Sequence, residues 1–389
     1  ALDGIVVEAI AKASGKAAAD VRRAYMLAGD LGAVAAEALG GGDLARFGLV
    51  LFRPVLPMLA QTADDTAQAL TELGGPVALE HKLDGFRVQL HKDGDVVRAY
   101  SRALNEVTDY VPEAIAAVRA LPARRLILDG EAIVYGKNGR PLPFQDTMKR
   151  FGRSIDRKGR SNGNALAADM PLTLTAFDAL LVDEDTLLAE PAHRRWDILG
   201  QLAPQLAVPR LVTANADEAA AFYRDAIARG HEGIMAKVPE SPYDAGIRGG
   251  QWLKIKKVHR LDLVVLAAEW GSGRRKGWLS NIHLGARAPD GWVMLGKTFK
   301  GMTDEMLRWQ TAEFLAREVD RDGHVVYVRP EIVAEVAFND VQRSSRYPGG
   351  FALRLARVVR YRDDKTADQA DTIDAVRAIA IADGVLSAG

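Results

Sequence analysis

Asp-Gly and Asn-Gly pairs, among them Asp84-Gly85, Asp93-Gly94, Asp129-Gly130 and Asn138-Gly139, punctuate short apolar runs between about Leu51 and Lys257. Such pairs supply the positive φ values that two-residue hairpin turns require, so a chain divided this way folds as short strands that double back. Residues 51–258 are therefore expected to form a mostly antiparallel α+β domain.

The flanks read differently. Residues 1–50 are Ala-rich with helical spacing (Val6, Ala9 and Ile10; Val21, Tyr25 and Leu27) before Gly41-Gly42, which predicts two or three helices. Helices this short cannot close a core alone, and the chain opens without a methionine. The segment is expected to be the last part of a larger, truncated helical domain. Residues 259–389 carry short strands at 261–267, 283–286, 293–298, 325–328 and 332–338, with one helical segment near 303–316. A small barrel with one inserted helix fits that pattern.

With 389 residues, 48% hydrophobic and 26% charged, the chain has material for two or three domains. The absence of cysteine excludes a disulfide framework and a thiolate zinc site, leaves oxygen or imidazole to hold any metal, and fits a reducing cytosol. No apolar run approaches the roughly 18 residues of a membrane span, and the N-terminus lacks a signal-peptide pattern, so a cytoplasmic protein is expected. The formal charge is zero, yet basic residues gather at 149–160, at Arg274, Arg275 and Lys276, and from Arg343 to Arg362. Such stripes can bind phosphate without a basic excess overall.

The chemistry centres on Glu80-His81-Lys82-Leu83-Asp84-Gly85-Phe86-Arg87. An apolar run, Val77 to Leu79, precedes it and an alternating strand (Phe86, Val88, Leu90) follows, so Lys82 sits at a strand end beside a turn. A lysine there can attack an α-phosphate if nearby positive charge or partial burial keeps its amine neutral, with Arg87 a candidate for that charge. In the run Leu126 to Ile133, alternation puts Asp129 and Glu131 on one face of an otherwise apolar strand, where a carboxylate needs a partner. Phe177 shares the polar face of its strand with Thr173 and Thr175, where an aromatic ring can stack a purine. Lys254 and Lys256 share one face of a strand whose other face carries Leu253 and Ile255. Two ammonium groups thus converge where phosphates would lie.

These elements resemble the covalent nucleotidyltransferases, and in particular the ATP-dependent DNA ligases, including bacterial DNA ligase B-like chains. The motif K-x-D-G-x-R corresponds to Lys82–Arg87, and the resemblance continues in order to Arg362-Asp363-Asp364-Lys365, which is similar to the family's R-x-D-K element. It implies an α+β architecture with a helical N-terminal segment (1–50), an ATP-grasp-like nucleotidyltransferase or adenylation domain (51–258) and a C-terminal OB-fold barrel (259–389).

The resemblance also implies roles. Lys82 would be the adenylated nucleophile. Glu80 would recognise adenine, Phe177 would stack on it, and Arg87, Arg102, Glu131, Arg248, Lys254 and Lys256 would contact the nucleotide. Glu131, Glu232 and Asp84 would hold Mg²⁺, a cation that prefers oxygen ligands. The implied reaction uses ATP to seal nicks in duplex DNA, through lysyl-AMP, AMP transfer to the 5′-phosphate and attack by the 3′-hydroxyl. A monomer is expected, with DNA affinity that weakens steeply with salt. An RNA ligase, a capping-type guanylyltransferase and a non-catalytic DNA-binding module are the alternatives; base specificity and covalent labelling separate them.

Overall fold

The computed structural model describes residues 2–143, 146–148, 170–244 and 249–386. Arg248 and the basic stretch 149–160 lie outside the described residues. The chain parts into two compact units, Ala1–Lys256 and Lys257–Gly389.

The first unit contains β1 (Gln61–Thr62), β2 (Val77–Lys82), β3 (Phe86–Asp93), β4 (Val96–Ser101), β5 (Arg125–Val134), β6 (Leu172–Val182), β7 (Asp185–Thr186), β8 (Arg210–Thr213), β9 (Gly233–Lys237) and β10 (Trp252–Lys256). Among the described residues they form two sheets, of order β1-β10-β9-β2-β8 and β4-β3-β5-β6-β7. Strand parity explains what each face does. On β2 and β10, Val77, Leu79, Leu253 and Ile255 enter one core with Ala219 and Ala226 of the helix Ala216–Ala228. Their neighbours Glu80, Lys82, Lys254 and Lys256 face a cleft. The second sheet buries Val88, Leu90, Leu126 and Leu128 with Ile115 and Val118 of the helix Pro112–Arg119 and Leu199 of the helix Ala192–Leu202.

The helices Leu2–Ser14, Ala18–Ala28 and Leu31–Leu39 bury Val7, Ile10, Val21, Ala24 and Val34 among themselves. Met26 and Leu27 also join a core with Ile127 and Leu180 of the second sheet. The segment therefore draws part of its burial from the neighbouring sheet.

The Asp-Gly and Asn-Gly pairs do not all turn the chain. Asp93-Gly94 closes the β3–β4 hairpin, with Gly94 at φ 57°. Asn138-Gly139 lies in a tight turn in which the Gly136 N–H donates to the Arg140 carbonyl. Asp84-Gly85 joins β2 to β3, strands of different sheets. Asp129-Gly130 lies inside β5, where the missing side chain lets β6 come close. A Cβ on Gly130 would sit 2.7 Å from the Thr175 carbonyl oxygen.

Gly233 is the most constrained glycine near the cleft. It pairs with both Lys82 and Lys256, has φ 150°, and a Cβ there would lie 2.0 Å from the Ile255 carbonyl oxygen. Gly233→Ala is expected to cost about 2–4 kcal/mol through backbone displacement. A thermal melting temperature unchanged by the substitution would contradict this.

The second unit is β-rich: β11 (His259–Trp270), β12 (Leu279–Ala288), β13 (Gly291–Thr298), β14 (Glu318–Asp322), β15 (Val325–Val328), β16 (Val333–Phe338), β17 (Asp340–Arg343), β18 (Phe351–Arg354) and β19 (Arg357–Tyr361). The long β11 pairs with β12 along one edge, with an irregularity between Val265 and Ala267, and with β16 and then β15 along the other. The helix Asp304–Ala316 is inserted between β13 and β14 and buries Leu307 and Phe314. The β17–β18 hairpin and the helix Ile373–Ala382 are not anticipated by the sequence reading. No helix among the described residues is long and apolar enough to cross a membrane.

Candidate active site

A cavity of about 200 Å³ opens between the two sheets of the first unit, and Glu80, Lys82, Arg87, Arg102, Glu131, Phe177, Lys254 and Lys256 all line it. Residues more than 170 positions apart in the chain are brought together by β2, β3, β5, β6 and β10.

Lys82 ends β2, largely buried, with its ammonium 2.6 Å from Glu232 Oε2. Lys256 Nζ donates to the other oxygen of the same carboxylate. Burial disfavours the Lys82 ammonium, but the charge and hydrogen bond of Glu232, with the charges of Glu131 and Asp84, outweigh it and raise the pKa above the ordinary lysine value. This corrects the expectation of a neutral amine held so by Arg87. The Arg87 guanidinium is committed elsewhere: Nε and Nη2 donate to Asp129 at 3.0 and 2.6 Å, and Nη1 donates to the Met58 carbonyl at 2.9 Å. Tyr243 donates its hydroxyl to Asp129 Oδ2 at 2.6 Å. Asp129 thus has the partner that its place on an apolar strand required, and Arg87 is a braced strut.

Glu131 accepts the Gly85 N–H at 3.2 Å. Burial, aided by the charge of Asp84, pushes its carboxyl up to about 7 despite Lys82 and Arg87. Glu232 moves the other way: burial would raise it, but Lys82 and Lys256 hold it below the usual carboxylate range. Among the described residues no His, Asp and Glu group stands ready as a metal cluster; Glu232 is occupied by ammonium groups. Lys254 Nζ donates to the Ala60 carbonyl at 3.1 Å. Phe177 lies with the Arg87 guanidinium 5.2 Å and the Lys237 ammonium 5.0 Å from its ring centre.

Two residues lining this cleft, Lys237 and Trp252, and Arg210, which reaches Glu80, go unassigned in the sequence reading. Lys237 is fully buried and reaches Glu80 Oε2 at 2.6 Å; Arg210 donates to Glu80 Oε1; Trp252 edges against Phe177 at 6.4 Å. Parity signals two of them, since Lys237 shares its face of β9 with Met235, and Trp252 shares that of Lys254 and Lys256 on β10. Arg210 carries no such signal.

Because Lys82 is held as an ammonium, any attack by its amine must first release a proton. The sign follows: the neutral fraction grows as pH rises toward the raised pKa. Single-turnover labelling at Lys82 is expected to accelerate by about tenfold per pH unit between about pH 6 and 9. A rate already level at neutral pH would show that Glu232 does not hold the proton in place.

Two family descriptions match the chain: "ATP dependent DNA ligase domain" over residues 57–256 and "ATP dependent DNA ligase C terminal region" over residues 275–365. A "Probable DNA ligase" of Anaeromyxobacter dehalogenans (strain 2CP-C) is 56% identical over 385 residues, covering 97% of this chain and 74% of the relative. One from Sorangium cellulosum (strain So ce56) is 54% identical over 383 residues, with 97% and 70% coverage. Among solved structures, one named Pmar-Lig_PreS3 aligns with TM-score 0.58 at 19% identity over 86% of this chain and 72% of that one, a likeness of fold. The chain belongs to the ATP-dependent DNA ligases.

Proposed function

We propose that this protein is an ATP-dependent DNA ligase that acts as a monomer on nicked duplex DNA, with Lys82 as its covalent nucleophile. One observation carries the assignment to Lys82: its amine lies at the cleft wall, held and oriented by Glu232. Lys82 releases its proton to solvent, and the amine lone pair forms a bond to the α-phosphorus of ATP. The bond from that phosphorus to the β-phosphate oxygen breaks, and pyrophosphate leaves with the electron pair. Lys256 and Lys254, turning from Glu232 and the Ala60 carbonyl, offset the phosphate charge.

A 5′-phosphate oxygen at the nick then attacks the same phosphorus, and Lys82 leaves as an amine. The 3′-hydroxyl next attacks the activated 5′-phosphate and expels AMP. Phe177 supports the purine, and Glu80 reads its edge. Glu131, Glu232 and Asp84, whose charges all act on the Lys82 ammonium, supply the hard carboxylate oxygens that Mg²⁺ takes. They would hold it where it lowers the charge on the phosphates. Three domains are proposed, 1–50, 51–258 and 259–389. The last is read as an OB-fold barrel because β11 is shared between two sets of partners.

The test is a chase. Protein labelled from α-labelled ATP is mixed with singly nicked duplex, and the label is expected to leave the protein as the nick closes. Label that stays on protein with nicked DNA, yet leaves with nicked RNA, would overturn the DNA assignment.

A further inference from the structure

Glu80 is 2% exposed, and its carboxylate is held from two sides. Arg210, its partner in the β2–β8 pairing, donates Nε and Nη2 to Oε1 at 2.8 and 2.5 Å. Lys237 brings its ammonium to 2.6 Å from Oε2. Aromatic rings fix both cations. The Arg210 guanidinium lies 4.0 Å from the ring centre of Trp196, and the Lys237 ammonium 4.2 Å from that of Trp252.

An ionised carboxylate offers about four lone-pair sites and no proton. Arg210 fills both sites on Oε1, and the Lys237 ammonium lies against Oε2. What remains at the cleft wall, beside Phe177 and Trp252, is a single oxygen, Oε2, that accepts and cannot donate. Burial alone would push Glu80 toward protonation, but Lys237 and Arg210 hold it below the usual carboxylate range. With no proton, Glu80 cannot turn around and donate.

We propose that Arg210 and Lys237 determine purine choice: by leaving Glu80 as a single acceptor they admit a 6-amino group and reject a 6-oxo group. The inference rests on Glu80 as the base-reading residue. A 6-aminopurine directs an N–H at the remaining lone pair. At position 6 a 6-oxopurine directs a carbonyl oxygen at a fixed anion, where neither atom carries a proton; its N1–H lies one position further along the edge. Sites built to meet a substrate N–H reject analogues lacking it by about 10⁴-fold. Without one of its cations, Glu80 takes up a proton more readily, gains a donor and accepts the 6-oxo edge. Arg210 and Lys237 act through Glu80, so they are positioning residues.

The experiment measures lysyl-nucleotide formation by the full chain from α-labelled ATP and ITP, which differ at position 6 and in the proton on N1, without the added 2-amino group of GTP. The wild type is expected to favour ATP by about 10³-fold or more in kcat/KM. Arg210→Met and Lys237→Met are expected to lower that ratio at least tenfold, through higher ATP KM and gained ITP use, the gain growing as pH falls. Arg210→Lys should restore most of the preference. If both nucleotides lose rate in parallel and the ratio stands, the pair only braces the strands and the proposal fails. Should Lys237→Met not fold, Arg210→Met on the edge strand β8 decides alone. Glu80→Gln separates the two layers. If it leaves the ratio at the wild-type value, Glu80 does not read the base. If it collapses the ratio while Arg210→Met does not, the clamp alone is refuted.

Discussion

Lys82→Ala protein is expected to take up no label from α-labelled ATP, a loss on the order of 10⁴-fold or more, because no other amine stands in for the nucleophile. The nearby ammonium groups are engaged: Lys256 with Glu232 and Lys254 with the Ala60 carbonyl. Lys82→Arg should be equally inert, although a guanidinium keeps Glu232 paired, since it does not surrender a proton near neutral pH. The contrast tests nucleophile against charge. Given nicked DNA whose 5′-phosphate already carries AMP, the Lys82→Ala protein should still join the ends, because that step forms its bond without Lys82. Label at another lysine would refute the assignment of the nucleophile. Failure on the pre-adenylated nick as well, with an unchanged melting temperature, would mean that Lys82 serves the final step too.

Glu232 gives this site its poise. Shared between two ammonium groups, it keeps Lys82 charged in the resting site. The resting lysine is thereby protected as a cation. A site that relied on a neighbouring arginine to expel the proton would leave the amine neutral at rest. The partnership of Arg87 with Asp129 and Tyr243 is what removes that alternative.

Period-two alternation made much of the cleft legible in the sequence. Glu80 and Lys82, Lys254 and Lys256, and Phe177 each share a strand face with polar neighbours, and each lines the cavity. What the pattern hides is partnership across the sheets. Arg210 sits on a four-residue strand with no motif around it, and its tie to Glu80 spans 130 positions. Arg195 falls on the helix Ala192–Leu202, where a charged residue reads as a solvated face, yet it is fully buried. Asp129-Gly130 reads as a turn because the pair favours turns locally, whereas the close approach of β6 selects that glycine. The β17–β18 hairpin and the helix Ile373–Ala382 lack strong local signals and are settled by packing against Val341, Phe351 and Val376 in the second unit's core.

The buried pair Arg195–Asp178 should yield the largest stability effect in the molecule. Both side chains are completely excluded from solvent. Arg195 Nε and Nη2 donate to the two Asp178 oxygens at 2.7 and 3.0 Å, and Nη1 donates to the Glu190 and Ser241 carbonyls. Replacing such a pair by apolar groups of similar volume is often neutral, but removing one partner strands a charge, at about 3–5 kcal/mol. Arg195→Met is therefore expected to lower the melting temperature by roughly 10 °C, given about 2–4 °C per kcal/mol for a unit of this size. The double variant Arg195→Met, Asp178→Leu should recover most of that loss, because the charge that made the single change costly is gone. The effect should reach the cleft as well. Asp178 follows Phe177 on β6, and the helix anchored by Arg195 carries Trp196 over the Arg210 guanidinium. Paired thermal melts of the two variants decide the matter: equal losses in single and double would show that lost packing, rather than a stranded carboxylate, dominates.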